Sequence, residues 1–319
     1  MVEIVARLID QLKGHTETLK PLIEAASQDR LAATLLFTGP AGIGKKLAAL
    51  SLAQALICER AVAGSAGGYG QAACGECGPC LRVEKGQSES LMIVEPAGAQ
   101  IKIEQARDVL QFITLQKLGR ARVVIIDQAQ LMGPQAANAL LKSLEEPPAG
   151  TFFILVTAMA ASVLPTIRSR SQLVRFKPLS DSDMRSILGK DADDWVLSAA
   201  HGSVEAAKRL LEDREEFETL EQATGAYINA AVQRFPSEEI SALKELLKDR
   251  STHGFVASVI QGLVRDALKG ANPAFKSVTP RNLETLAKKS LEFESDLARN
   301  VDRGLILETF AVELSKAVR

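Results

Sequence analysis

The chain carries little net charge, no long apolar run, and no cysteine outside one short stretch. Its 38 basic and 39 acidic residues leave a formal charge of −1 over 319 residues. Nothing in bulk therefore demands a nucleic-acid or membrane partner, although a local basic patch stays compatible with that balance. The longest apolar-rich run, Phe152 to Leu164, has 13 residues and contains Thr157 and Ser162, whereas a spanning helix needs about 20. The opening Met1-Val2-Glu3-Ile4 has an early acid and no basic region leading into an apolar core, so it does not read as a targeting segment. Together these absences predict a soluble, cytoplasmic protein with no membrane partner. No internal repeat or low-complexity tract is visible. Hydrophobic residues make up 46% of the chain, which is enough for a sizeable core, and the length suits two or three domains.

The four cysteines, Cys58, Cys74, Cys77 and Cys80, fall within 23 positions. Scattered structural thiols would not bunch in this way. The spacing C-x15-C-x2-C-x2-C offers four thiolates and no spare ligand position, which suits a closed, tetrahedral, structural zinc site. Unligated reduced thiols and an iron–sulfur cluster are the alternatives that spacing alone leaves open.

Periodicity divides the chain at about residue 178. Before it, short apolar runs alternate with helical patterns. Strands are predicted at Ala33–Thr38, Leu91–Val94, Val123–Asp127, Phe152–Thr157 and Gln172–Phe176. Helices are predicted within 3–28 (two, broken at Gly14-His15) and over Lys45–Glu59, Ile103–Gln116, Gln135–Leu144 and Leu164–Arg168. This alternation predicts an α/β fold, a parallel sheet with helices on both faces. The glycine-rich stretch 60–80 reads as an excursion, and Lys117 to Arg122 as a basic turn. After Ser180 no convincing strand appears. Helices are expected over Asp181–Leu188, Asp193–Ala200, Val204–Phe217, 218–234, 237–249, 253–269, 282–299 and 301–318.

The stretch Leu35 to Lys46 places an apolar strand, the sequence Gly39-Pro40-Ala41-Gly42-Ile43-Gly44-Lys45 and a helix in the order a phosphate-binding loop requires. The glycines let backbone amides converge on phosphate oxygens, the helix start adds positive partial charge, and Lys45 adds a full charge. A glycine turn without a ligand is the bland alternative. One position departs from the motif: residue 46, normally a Ser or Thr that ligates magnesium, is lysine. Asp127 ends a strand and would hold magnesium through water. The next residue, which would polarise attacking water as a Glu, is Gln128, and an amide cannot act as that base. Arg170, in Ser169-Arg170-Ser171, is either solvated or an arginine finger reaching a phosphate on a neighbouring subunit.

Taken in order, Gly14-His15, the loop Gly39 to Lys46, the cysteines, Val124-Ile125-Ile126-Asp127, the run Ala136 to Pro147 containing Asn138-Ala139-Leu140-Leu141-Lys142-Ser143-Leu144-Glu145-Glu146-Pro147, Thr157 and Leu164 to Ser171 resemble the bacterial clamp-loader branch of the AAA+ proteins. Within that branch they resemble the delta-prime family of DNA polymerase III subunits. The resemblance implies three parts: an AAA+ domain over 1–178 with a zinc-binding insertion at 58–80, a helical lid over 179–215, and an all-α collar over 216–319. It also implies partners, namely gamma/tau and delta subunits in a five-subunit ring, the sliding clamp, and primer–template DNA reached through that complex. Gly39, Pro40, Gly42, Gly44, Lys45, Lys46, Asp127 and Thr157 would face ATP or ADP without productive hydrolysis. Arg170 would be donated to the ATP site of an adjacent gamma/tau subunit, with Ser171 standing where the family has cysteine. The rival is a catalytically active gamma/tau-type ATPase, which should carry Ser or Thr at 46, Glu at 128 and an arginine just after Gly202-Ser203. This chain has Lys46, Gln128 and, after Val204, Glu205. A stand-alone DNA-binding reading rests on Lys117, Arg120 and Arg122.

Overall fold

Five strands form one parallel sheet in the order β2-β3-β4-β1-β5, namely β1 (Thr34–Thr38), β2 (Leu91–Val94), β3 (Arg122–Ile126), β4 (Thr151–Thr157) and β5 (Gln172–Arg175). The computed structural model describes residues 7–60, 73–116, 119–189, 193–248, 252–268, 275, 278–298 and 301–318. Ile4, Lys117 and the glycine-rich residues 61–72 lie outside the described residues.

The three central strands are almost entirely buried, as expected of strands covered on both sides. Alternate side chains feed two separate cores. On one face Leu35, Phe37, Val123, Ile125, Ile154 and Val156 meet α1 (Leu8–Gln11), α2 (Thr16–Ser27) and α3 (Lys45–Ile57). On the other, Leu36, Val124, Ile126, Phe153 and Leu155 meet α5 (Ile103–Thr114), α6 (Pro134–Glu145) and α7 (Pro165–Arg168). Because every strand runs the same way, Thr38, Val94, Ile126 and Thr157 all end at one edge of the sheet. That carboxyl-terminal edge is where an open α/β sheet binds its ligands.

The stretch read as an excursion, 60–80, ends at the start of a helix. Residues Gly78–Glu84 form α4, started by Pro79 at its first turn and anchored by buried Cys80 and Val83. Arg122 likewise belongs to a strand and not to a solvated turn. It is 4% exposed, and its guanidinium caps the end of α5 by donating to the carbonyls of Ile113 (2.9 Å), Leu115 (2.9 Å) and Gln116 (2.8 Å), over the ring of Phe112.

The chain divides into two compact units, Met1–Ile187 with Gly202–Glu205, and Leu188–His201 with Ala206–Arg319. The second is helical throughout its described residues, with α9 (Asp194–Ala200), α11 (Arg214–Gln233), α12 (Ser237–Leu246), α13 (His253–Leu268), α14 (Pro280–Ala298) and α15 (Arg303–Val318). α8 (Asp181–Leu188) precedes it, and α10 (Val204–Glu212) begins in the first unit and continues in the second. Phe217 packs on Phe255 and Phe293 on Phe310, with ring centroids 4.7 and 5.1 Å apart. The Tyr227 hydroxyl, fully buried, donates to the Leu307 carbonyl at 2.6 Å. The helix expected over Val204–Phe217 breaks at Asp213, whose backbone (φ −109°, ψ 39°) is not helical and which starts α11. Among the described residues no helix is long and apolar enough to cross a membrane.

Candidate functional site

The loop between β1 and α3 needs its glycines. Gly39 has φ 153°, and a Cβ there would lie 2.3 Å from the Phe176 carbonyl oxygen. At Gly42 (φ 70°) a Cβ would meet the Ser203 hydroxyl oxygen at 2.2 Å and the Glu205 Cβ at 2.6 Å. The loop is held from three sides. The Lys45 ammonium folds back onto the carbonyls of Gly39 (2.6 Å) and Pro40. Nε2 of buried His15, from the start of α2, lies 2.6 Å from the Ile43 carbonyl. The amides of Val204 and Glu205 point to the Gly42 carbonyl, at 2.9 and 3.4 Å. Burial lowers the pKa of Lys45, with Asp127 and Glu205 pulling the other way. Burial also lowers that of His15, against the Ile43 contact and Asp183, with Lys45 reinforcing the depression. A neutral His15 donating through Nε2 satisfies that contact.

Lys46 points along the carboxyl edge of the sheet. Its ammonium pairs with Glu95, the residue after β2, and lies 3.6 Å from Asp127 Oδ2, just after β3. Burial acts to lower its pKa, but Glu95 and Asp127 outweigh this and raise it. Oδ1 of Asp127 accepts from the Gln128 amide at 2.9 Å. Gln128 adopts a left-handed backbone (φ 51°) and is exposed. Thr157, at the end of β4, is buried. Its hydroxyl lies 2.8 Å from Gln130 Oε1 and 3.1 Å from the Met159 carbonyl, so its proton is already committed within the protein. Gly39 to Lys46 and Asp127 thus share one edge with Thr157. Glu95 joins them, although sequence reasoning missed it.

Arg170 stands apart from that cluster. It follows α7 and precedes the edge strand β5. Its Nε donates to Glu145 Oε2 at 2.8 Å, and one guanidinium nitrogen donates to the Thr166 carbonyl at 3.1 Å. Glu145 comes from the last turn of α6, so two separate parts of the sequence pattern meet here. The guanidinium is half-buried, and its carboxylate partner is exposed.

The cysteines converge. Cys58 ends α3, Cys77 precedes α4 and Cys80 lies within it. Sulfur separations are 3.6 Å (Cys58–Cys74), 4.0 Å (Cys58–Cys77) and 3.9 Å (Cys74–Cys80), and all four Sγ atoms lie within 4.8 Å of one another. Thiolates about 2.3 Å from a tetrahedral zinc stand about 3.8 Å apart, so the donor set fits that ion. The amides of Cys74 and Cys77 donate to sulfur at 3.4 and 3.3 Å. Burial pushes the Cys58 and Cys80 thiols up. At Cys74 burial acts in the same sense but is outweighed by the amides of Glu76 and Cys77, which bring it down to about 7. Behind the sulfurs, Gln54 donates to the Cys80 carbonyl (3.1 Å) and accepts from the Leu8 amide (3.0 Å), while Arg120 donates to the Cys58 carbonyl (3.1 Å).

A parallel sheet with a glycine loop after β1, an acid after β3 and helices on both faces defines an α/β phosphate-loop domain. Residues 14–180, just over half of the chain, match the family model described as "DNA polymerase III, delta subunit", and the chain belongs to that family. Among curated relatives, the DNA polymerase III subunit delta' of Pseudomonas aeruginosa is 40% identical over 138 residues, covering 42% of this chain and 40% of that protein. The subunit delta' of Bacillus subtilis is 36% identical over 162 residues, covering 50% and 47%. The subunit tau of Escherichia coli is 27% identical over 308 residues, covering 95% and 44%. The chain thus spans less than half the length of each of these relatives.

Proposed function

We propose that this chain is a delta-prime-type subunit of a DNA polymerase III clamp loader, working in the cytoplasm without productive ATP hydrolysis of its own. It would assemble with gamma/tau and delta subunits into a ring that places a sliding clamp on primed DNA. The observation that carries this reading is the contrast between two sites. The hydrolytic position is altered at Lys46, Gln128 and Glu205, and the first of these already pairs with Asp127, the acid a metal would need, as well as with Glu95. Arg170, by contrast, is intact beside the edge strand and held by Glu145. The delta' relatives are 36–40% identical over 138–162 residues, and the tau and gamma/tau relatives 27–33% identical over 184–308 residues.

In this reading residues 179–215 act as the lid and 216–319 as the collar. Cys58, Cys74, Cys77 and Cys80 hold a structural zinc, and Gly39 to Lys46 with Asp127 and Thr157 accept ADP or ATP without turning it over. Arg170 is donated in trans to the phosphates at an adjacent gamma/tau site. The direct test mixes the full chain with gamma/tau and delta subunits and asks whether a stable assembly forms and hydrolyses ATP. Arg170→Ala should assemble normally yet lower turnover roughly a thousand-fold at the one site it serves, diluted by the other sites. Unchanged ATPase and clamp loading in that variant would exclude the finger role. The competing reading, an ATPase in its own right, requires phosphate release by the isolated chain that disappears in Lys45→Ala. The stand-alone DNA-binding reading loses one of its three residues, because Arg122 is buried against α5.

A further inference from the structure

In a magnesium-dependent phosphate loop, the residue after the loop lysine gives a hydroxyl to the metal, and an acid ending a nearby strand completes the hold. Here that residue is Lys46, whose side chain is 41% exposed. Its ammonium lies against both Glu95 and Asp127. The strands that carry these acids are hydrogen-bonded neighbours with Val94 opposite Ile126, so the residues that follow, Glu95 and Asp127, stand side by side. One ammonium therefore serves two carboxylates at the sheet edge.

Magnesium does not fit this arrangement. The direct hydroxyl ligand is gone, and a protonated lysine has three donors and no lone pair to offer a metal. The acid that would hold the ion is already paired, and a fixed positive charge within a few ångströms repels a divalent cation. Parts that attract an anion remain, namely Lys45 and the amides at the start of α3.

We propose that Lys46 is a built-in counter-ion occupying the divalent-metal position between Glu95 and Asp127, so that a nucleoside di- or triphosphate binds this loop without a metal ion. The inference rests on the nucleotide-accepting reading of the loop given above and specifies the form of its ligand. Glu95 is a positioning residue for that ammonium.

The test is titration of the full, zinc-loaded chain with a fluorescent ADP analogue, once in magnesium-free buffer without chelator and once in magnesium. Wild-type affinity should change by less than about twofold between the two, whereas Lys46→Thr should tighten by about tenfold on adding magnesium, a change of the size metal-site substitutions produce. Lys46→Arg keeps the charge and should stay indifferent to metal. Lys46→Ser replaces the threonine variant if that one does not fold, as judged by zinc content and melting. Magnesium-dependent binding by the wild type, an unchanged metal response in Lys46→Thr, or no nucleotide bound by any form would each overturn the proposal. Assembly with gamma/tau and delta subunits is measured separately, so failure here is distinguishable from failure of the clamp-loader reading.

Discussion

Gln54 ties three parts of the sheet domain together. It is fully buried in α3, accepts from the Leu8 amide at the start of α1, and donates to the carbonyl of Cys80 in α4. Gln54→Leu keeps nearly the same volume but removes both contacts. It leaves one buried N–H and one buried C=O without these partners, at about 1–3 kcal/mol each, partly offset because the amide itself no longer has to be desolvated. A net loss of about 3 kcal/mol follows. In a unit of this size that corresponds to a melting point lower by about 6–12 °C. In the proposed zinc-bound form the Cys80 carbonyl lies directly behind a ligating sulfur, so zinc should also transfer to a chromogenic chelator about tenfold faster, as for other contacts behind a metal's ligands. The assay is a melt of the zinc-loaded full chain, paired with chelator kinetics. A melting point within about 2 °C of wild type together with unchanged zinc release would refute the idea that Gln54 straps the cysteine site to α1 and α3.

Two further perturbations test other parts of the frame. Arg122→Met should destabilise the sheet domain by about 3 kcal/mol in urea unfolding, because one buried and two half-buried carbonyls at the end of α5 lose a forked donor. Loss of DNA affinity with unchanged stability would instead return Arg122 to the surface role. His15 is held neutral by burial, so its pKa lies below the ordinary value of 6.5. The unfolded chain then binds the proton more readily than the folded one. Its contribution is complete above about 6.5 and declines as pH falls below that value. His15→Gln should flatten the fall in stability below about pH 6.5, and an undiminished slope in that variant would show that other groups carry it.

The strands were legible in the sequence because buried parallel strands are continuous apolar runs with acids, glycines or turns at their ends. Leu91–Val94 falls where expected, and Arg122–Ile126 lies one residue earlier than Val123–Asp127. The cysteine convergence was legible from spacing alone, because two C-x2-C steps and a helix end leave few ways to keep four sulfurs apart. The remainder depended on contacts distant in sequence. Arg122 looked like part of a basic turn, since nothing local says that the end of α5 lies over it. α4 hid inside a glycine-rich stretch, although Gly78-Pro79 followed by Cys80 and Val83 is a helix start with two residues on one face. Glu95 resembled any acid after a strand. Its role follows only from the pairing of β2 with β3, which puts it beside Asp127.

The loop's present contacts hold its shape whether or not a ligand is bound. In a working phosphate loop, the lysine and the glycine carbonyls are organised around a ligand. Here the protein supplies those contacts itself. Lys45 satisfies the carbonyls of Gly39 and Pro40, His15 the carbonyl of Ile43, and the start of α10 the carbonyl of Gly42. Lys46 pairs with the two acids at the sheet edge. Each contact joins the loop to a different element, namely its own helix, α2, the Gly202–Glu205 segment and the ends of β2 and β3. A loop closed in this way stabilises the fold whether or not nucleotide is bound, so a change at Lys45 or Gly42 should cost stability even in a chain that hydrolyses nothing. Retention of the glycine motif therefore says nothing about turnover. In the reading proposed above, turnover is decided instead at Lys46, Gln128 and Glu205.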